Sequence, residues 1–377
     1  MRHALIFAVG GVVLLLAIVG LHLGIQRQLQ AAAPRTSPPA PTIQPTPGPP
    51  TTTPTPQPTV VAIATAVPTR TVPPQPTATP VPPTPTPIPG PVITNDKLGV
   101  GVYFSSLPMN VLVTLRPAML LIQDPDIRSA PGLRTVFPKA LIVGRHFVPD
   151  GDFSLAHCND PNENHLAKGI EFADSLARTA VPLKNIVDAW VSDNEQTDHS
   201  RPQEFACRAD FQMGFITTLQ NKYGIDAIAG NDASGALEPS DYPKYFAKPI
   251  STAKYFGVHA YGKPESRRLN NGQESIFYAL RYRMIQAELA KAGVALPQKG
   301  FLLTETGVYE GWRGMVPDEA MAQDFIWLEQ ETAKDSYVKG QFIFGIGPQK
   351  RFGQYEILGT TLLEILGRYN AEHAGKP

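Results

Sequence analysis

Cysteine is scarce. Two in 377 residues are too few for a disulfide-built scaffold or, by themselves, for a zinc site. Net charge is missing as well: 33 Lys and Arg balance 33 Asp and Glu, and no basic run forms a stripe that could track phosphates. A nucleic-acid partner is therefore not expected. The first strand–helix unit lacks a glycine-rich phosphate loop, which speaks against a doubly wound dinucleotide fold. The polar stretch Asn159–Glu163, followed by His165, lacks the ligand spacing of a calcium loop. Neither a metal nor a cofactor is expected.

Charge is also absent from most of the first thirty residues. Arg2 and His3 precede an unbroken apolar run from Ala4 to Leu21, and no Lys or Arg follows until Arg27. About 20 predominantly apolar residues suffice to cross the hydrocarbon core as a helix, and this run shows no polar face. Residues 1–30 are expected to form an uncleaved transmembrane signal-anchor with its flank. A cleaved secretory signal with Ala31–Ala33 as the small-residue site is the alternative. Arg2 is balanced by Arg27, so the orientation rests on the long, nearly uncharged segment that follows, which favours export of the remainder.

Proline is abundant but uneven: more than half of the 39 lie between Pro34 and Pro91, interleaved with threonine and with only Arg35 and Arg70 for charge. Such a segment buries too little apolar surface to offset its chain entropy. Its prolines favour extended polyproline II. Residues 31–95 are expected to be a disordered Pro/Thr stalk.

The remainder, residues 96–377, alternates strand and helix. Apolar runs at Leu98–Phe104, Ala118–Ile122, Ala140–Phe147, around Trp190, at Asp226–Gly230, Tyr255–Tyr261, Phe301–Glu305 and Gly340–Ile346 read as eight strands. Helical stretches are expected at 126–137, 165–179, 209–223, 275–292, 318–334 and 355–369, with shorter connections near 110–115 and 242–253. Within 275–292, Phe277, Leu280, Met284, Ile285 and Leu289 recur at helical spacing, and Gly293 closes the pattern as a C-cap. Short apolar strands suit a sheet covered on both faces. Eight of them, in about the length of one α/β barrel, predict an α/β fold of the (β/α)8 TIM-barrel type, whose site lies at the C-terminal strand tips.

Those tips carry Arg145 and His146 on strand three, Asp193, Asn194 and Glu195 on strand four, His259 and Tyr261 on strand six, and Glu305 on strand seven. Two carboxylates delivered to one pocket are the minimum equipment for cleaving a glycosidic bond. Singly, Glu195 or Glu305 could equally be a salt-bridged rim carboxylate, and Arg145 a structural counter-ion. Together, Trp190, Asn194–Glu195, His259-Ala260-Tyr261 and Thr304–Gly307 resemble the retaining glycoside hydrolases of the large (β/α)8 clan called clan A, over roughly Leu98 to Tyr369. The Pro/Thr stalk is similar to linkers of secreted bacterial polysaccharide-degrading enzymes.

The resemblance implies a carbohydrate substrate, Glu195 as acid/base and Glu305 as nucleophile. It implies Asn194 on the sugar 2-hydroxyl, Tyr261 donating to Glu305, His259 shaping the same wall, and Arg145 as a counter-charge to Glu305. The mechanism requires the carboxyl groups about 5–5.5 Å apart and their pKa values pushed apart, Glu195 the higher. Trp312, after strand seven, is expected to stack on sugar, and Trp190 to pack the strand. The clan usually carries Trp on strand eight, where this chain has Phe342–Gly347, so Phe344 stands in. That departure keeps open a catalytically inactive carbohydrate-binding barrel. Cys158 and Cys207 fall in adjacent loops and are expected to pair in an exported domain, tying the pocket rim; two unrelated thiols are the alternative. The expected setting is a single-pass cell-membrane protein with its catalytic domain outside.

Overall fold

The computed structural model describes residues 97–373 except 104–107, 125–129, 148–157, 159, 161, 198–199 and 349. The expected signal-anchor and stalk, 1–30 and 31–95, lie outside the described residues. Among the described residues, no helix is long and apolar enough to cross a membrane.

Eight strands form: β1 (Leu98–Val102), β2 (Met119–Gln123), β3 (Leu141–Arg145), β4 (Ala189–Val191), β5 (Asp226–Asp232), β6 (Tyr255–Gly262), β7 (Phe301–Val308) and β8 (Val338–Ile346). They close in chain order into a barrel, every neighbouring pair parallel and β8 pairing back on β1. Between and after them run α1 (Met109–Leu115), α2 (Pro131–Val136), α3 (His165–Ala180), α4 (Phe205–Thr217), α5 (Asp241–Tyr245), α6 (Ala247–Thr252), α7 (Arg281–Lys291), α8 (Asp318–Ala333) and α9 (Leu362–His373). This is the (β/α)8 barrel that the alternation predicts.

Successive strand side chains point to opposite faces, and the core divides accordingly. Met119, Leu121, Val143, Ala189, Val191, Ile228, Tyr255, Leu302 and Phe342 pack together inside the barrel. Leu120, Ile122, Ile142, Trp190, Ala227, Phe256, Leu303 and Ile343 join the larger apolar layer that includes helix side chains such as Leu176, Phe215 and Phe325. Both faces are buried, which is why the strands read as continuous apolar runs.

Several helix boundaries differ from expectation: the stretch expected at 209–223 is helical over Phe205–Thr217, that at 126–137 over Pro131–Val136, and two others differ for a visible local reason. The stretch 275–292 does not form one helix: Gly272–Phe277 is a 3-10 turn, and α7 starts at Arg281. Ser275 is the local cause, because its hydroxyl receives the Asn271 N–H (2.7 Å) and donates to Leu269 O (3.3 Å). A side chain bonded to nearby backbone in this way competes with helix formation. Phe277, read as part of the buried stripe, is 54% exposed. The far end of α7 does match its sequence signal. Val294 N–H bonds Leu289 O (2.9 Å) and Gly293 N–H bonds Ala290 O (3.1 Å), with Gly293 at φ +69°, a Schellman cap. The last helix begins at Leu362 rather than Tyr355. Glu356 instead accepts from Gly347 N–H and Leu358 N–H (both 2.9 Å), and Asp318 accepts from Thr361 N–H (2.8 Å), which ties this segment into a loop.

Candidate active site

Alternation alone carries several polar side chains into the mouth of the barrel. Arg145 follows Val143 by two residues, and His259 and Tyr261 continue the face of Tyr255. Glu305 does not follow this rule. Counting from inward-facing Leu302, it should point outward. However, β6 and β7 pair Val258 with Leu303 and then His259 with Glu305, so Thr304 is an extra residue. A bulge of one residue reverses the face of everything beyond it, and Glu305 thereby lies beside His259 on the inner side. The β7–β8 register shifts at the same place, between Leu303 and Thr306.

Glu195 arrives by another route. The strand β4 is only three residues long, and the chain leaves it through Ser192–Asn194. Glu195 then takes a left-handed conformation at φ +48°, with its N–H on Asn231 O at 2.8 Å. Its side chain lines a cavity of about 310 Å³ together with Asn194, Arg145, Tyr261, Glu305 and Phe344. One side-chain ligand atom from each of Glu195, His259 and Glu305 can be chosen so that all three lie within 4.8 Å of one another. The two sequence-distant glutamates therefore face one opening.

Their partners differ. Glu305 is buried, pairs with Arg145 Nη1 through Oε1, and accepts from Tyr261 Oη through Oε2 at 3.0 Å. The Arg145 and Glu305 side chains are each 6% exposed. A buried charge pair of this kind needs its hydrogen bonds to offset desolvation, and removing one partner leaves the other uncompensated. Glu195 is more open, and its Oε1 lies 2.8 Å from His259 Nδ1. His259, itself fully buried, also lies 3.7 Å from Glu305 Oε2, so it bridges the carboxylates rather than merely forming a wall.

The electrostatics correct one expectation. Burial pushes the Glu195 carboxyl up, but the hydrogen bond and charge of His259, with the charge of Arg145, outweigh it and hold Glu195 below the ordinary carboxylate value. The expected raised acid is thus reversed in the resting site. His259 moves the other way: burial and Arg145 lower its pKa, yet Glu305 and Glu195 together raise it above the usual histidine value. Burial and the two carboxylates push the Tyr261 phenol far up, so it stays a donor.

Other residues need separate mention. Trp312, expected to stack on sugar, is fully buried and packs edge-on against Phe325 and Tyr355, with ring centroids 5.5 and 5.6 Å apart. Apolar contact with α8 draws it away from the opening. Trp190 packs in the outer layer as expected. Phe344 is in the lining, with Tyr103 at 4.7 Å and Tyr355 at 5.2 Å between ring centroids. Tyr103, Gln123, Tyr309 and Tyr355 also line the cavity and were not anticipated. Tyr103 and Gln123 sit just beyond or at the ends of β1 and β2, so reading those two tips would have found them. Tyr355 has no such signal, because its loop reads as helix. Cys158 and Cys207 form a disulfide, Cα–Cα 5.6 Å, joining the loop after β3 to the first turn of α4.

No family model matches the chain, and no curated protein matches it. Among solved structures, a β-glucuronidase from an uncultured Clostridium species shares 13% identity, with 73% of this chain and 50% of that one covered, at a TM-score of 0.50. A GH5-4 broad-specificity endoglucanase from an uncultured bacterium shares 12%, covering 73% and 94%, at 0.46. Gas2p of Saccharomyces cerevisiae, solved with laminaritetraose and laminaripentaose, shares 12%, covering 74% and 64%, at 0.44. The chain thus spans only half of the glucuronidase and under two thirds of Gas2p. The likeness to the β-glucuronidase, at 13% identity, is one of fold alone.

Proposed function

We propose that this protein is a retaining glycoside hydrolase that cleaves O-glycosidic bonds of poly- or oligosaccharides at the cell surface. The observation that carries the reading is the convergence of Glu195 and Glu305 on one cavity, with ligand atoms within 4.8 Å. Carboxylate oxygens that close are in keeping with direct attack by one carboxylate, which needs the carboxyl groups about 5–5.5 Å apart. Glu305, ion-paired with Arg145 and hydrogen-bonded by Tyr261, is the nucleophile. Glu195 donates the proton to the leaving oxygen and later takes one from water. Because Glu195 shares its proton with His259 in the resting site, arrival of the glycosidic oxygen is the event that moves the proton onto Glu195. The apolar run at 4–21 and the Pro/Thr segment support an anchored, stalked enzyme facing outward.

The test is covalent trapping. A 2-deoxy-2-fluoro glycoside with an activated leaving group should form an ester on Glu305, seen by peptide mass spectrometry. Glu305→Ala should lose turnover by about 10⁴-fold or more while still binding sugar. A wild type that binds glycans but cleaves no member of a broad glycoside panel would favour the inactive carbohydrate-binding barrel, for which the absence of Trp from β8 speaks.

A further inference from the structure

Behind the site, on the outer side of the barrel, lies a buried charged group that the chemistry itself does not use. The helix α4 presents Arg208 and Gln212 one turn apart on the same face, and both are essentially inaccessible. Arg208 Nη2 pairs with Asp193 Oδ2, each side chain no more than 2% exposed. Gln212 Nε2 donates to Asp193 Oδ1 (3.1 Å) and to Gly230 O (3.3 Å), and its Oε1 accepts from Gly230 N–H (3.2 Å). A bulge at Asn231 pairs Asp232 with outward-facing Val258, which turns Asp232 to the same side of the barrel as α4. There Asp232 and Arg208 feel each other's charge, and Asp232 accepts from Thr197 Oγ1. Burial pulls the Arg208 pKa down to about 10, which leaves the guanidinium charged at neutral pH.

These contacts bracket one residue. Asp193 and Thr197 stand two positions before and after Glu195, while Gly230 and Asp232 flank Asn231, whose carbonyl holds the Glu195 N–H. A non-glycine residue at φ +48° carries strain of about 1–3 kcal/mol and persists only where its surroundings over-determine it. On the cavity side His259 meets the carboxylate end of Glu195, while the contacts that fix its backbone turn named above lie behind.

We propose that Arg208 is a positioning residue for Glu195, locking the tips of β4 and β5 together from outside the barrel so that the acid/base carboxylate meets His259. The assignment of Glu195 as acid/base rests on the function proposed above; the positioning itself does not. Without the guanidinium, Asp193 is a buried carboxylate with no counter-charge and must move toward water. A displacement of about 1 Å at a catalytic group costs about 100-fold in rate.

The experiment compares the full chain with its Arg208→Met and Arg208→Lys variants by two readouts. The first is the imidazole titration of His259 by NMR, which requires no turnover. If Glu195 is released, His259 loses its nearest carboxylate and its pKa falls. Simple removal of a positive charge would instead raise it, so the sign decides. The second readout is kcat/KM, which reports only the steps up to transfer of the sugar onto Glu305, on 2,4-dinitrophenyl and methyl glycosides of glucose, galactose, mannose and xylose. The methyl glycosides need a proton on the leaving oxygen, so their kcat/KM should drop about 100-fold. The dinitrophenyl glycosides do not, and should be little affected; Arg208→Lys should lie between wild type and Arg208→Met. If Arg208→Met does not fold, Gln212→Met should reproduce the pattern more weakly. An unmoved or raised His259 titration in folded variants, or equal losses on both leaving groups, overturns the proposal. A wild type inactive on every glycoside would sink the hydrolase reading, while the titration would still decide the positioning.

Discussion

Replacing His259 by glutamine should move the alkaline limb of the pH–rate profile to lower pH. In the resting site His259 Nδ1 lies 2.8 Å from Glu195 Oε1, close enough for one proton to serve both groups. The histidine end is raised because the charges of Glu305 and Glu195 and the hydrogen bond to Glu195 overcome burial and Arg145. The carboxyl end is lowered because His259 and Arg145 overcome burial. A group whose pKa is raised keeps its proton to higher pH, so the pair can supply an acid until the medium passes the ordinary histidine value near 6.5. Glutamine preserves a hydrogen bond but carries no titrating proton, so the limb then reports Glu195 alone; its carboxyl rises once the His259 charge is gone, and the expected outcome is that it still stops short of the raised imidazole it replaces. The interaction removed is a charge-assisted hydrogen bond of 2.8 Å to a fully buried ring, about 1.5–3 kcal/mol. That corresponds to about 10- to 150-fold in kcat/KM, read at pH 7.5 on a methyl glycoside and smaller below pH 5. An alkaline limb that stays in place, or shifts upward, would refute the shared proton.

Two further outcomes test the placement of side chains outside the reacting pair. Trp312→Ala should lower the free energy of unfolding in urea by about 3–5 kcal/mol, because the indole is fully enclosed. A rise in KM with stability intact would return that ring to the sugar. Cys207→Ser, which opens the link between residues 49 apart, should lower stability by about 4 kcal/mol on loop entropy; an unchanged urea midpoint would show that the disulfide contributes nothing to the fold.

Much of the barrel can be read from residues that are close together in the chain. The eight strands stand out as apolar runs because both of their faces are covered, and Gly293 announces its cap through a left-handed turn that local sterics dictate. Period-two spacing is enough to carry Arg145, His259 and Tyr261 to the inner face of their strands. These signals act over a few residues, so the order of letters suffices to reveal them.

Where Glu305 points was decided elsewhere. Strict alternation from Leu302 would have turned it out of the barrel, and only the extra residue Thr304 in the pairing with β6 brings it inward. The same holds for Asp232, turned to the outer face by the bulge at Asn231, and for Trp312, which reads as an exposed loop tryptophan yet is claimed by Phe325 and Tyr355. The Glu195 carboxyl is held low, opposite to the direction expected of an acid, because His259 arrives from a different strand. Continuous apolar runs separated by helical stretches thus determined the barrel and which strand tips could bear chemistry. Register, burial and charge pairing between segments far apart in the chain decided which way those tips face, because such contacts exist only once the sheet has closed.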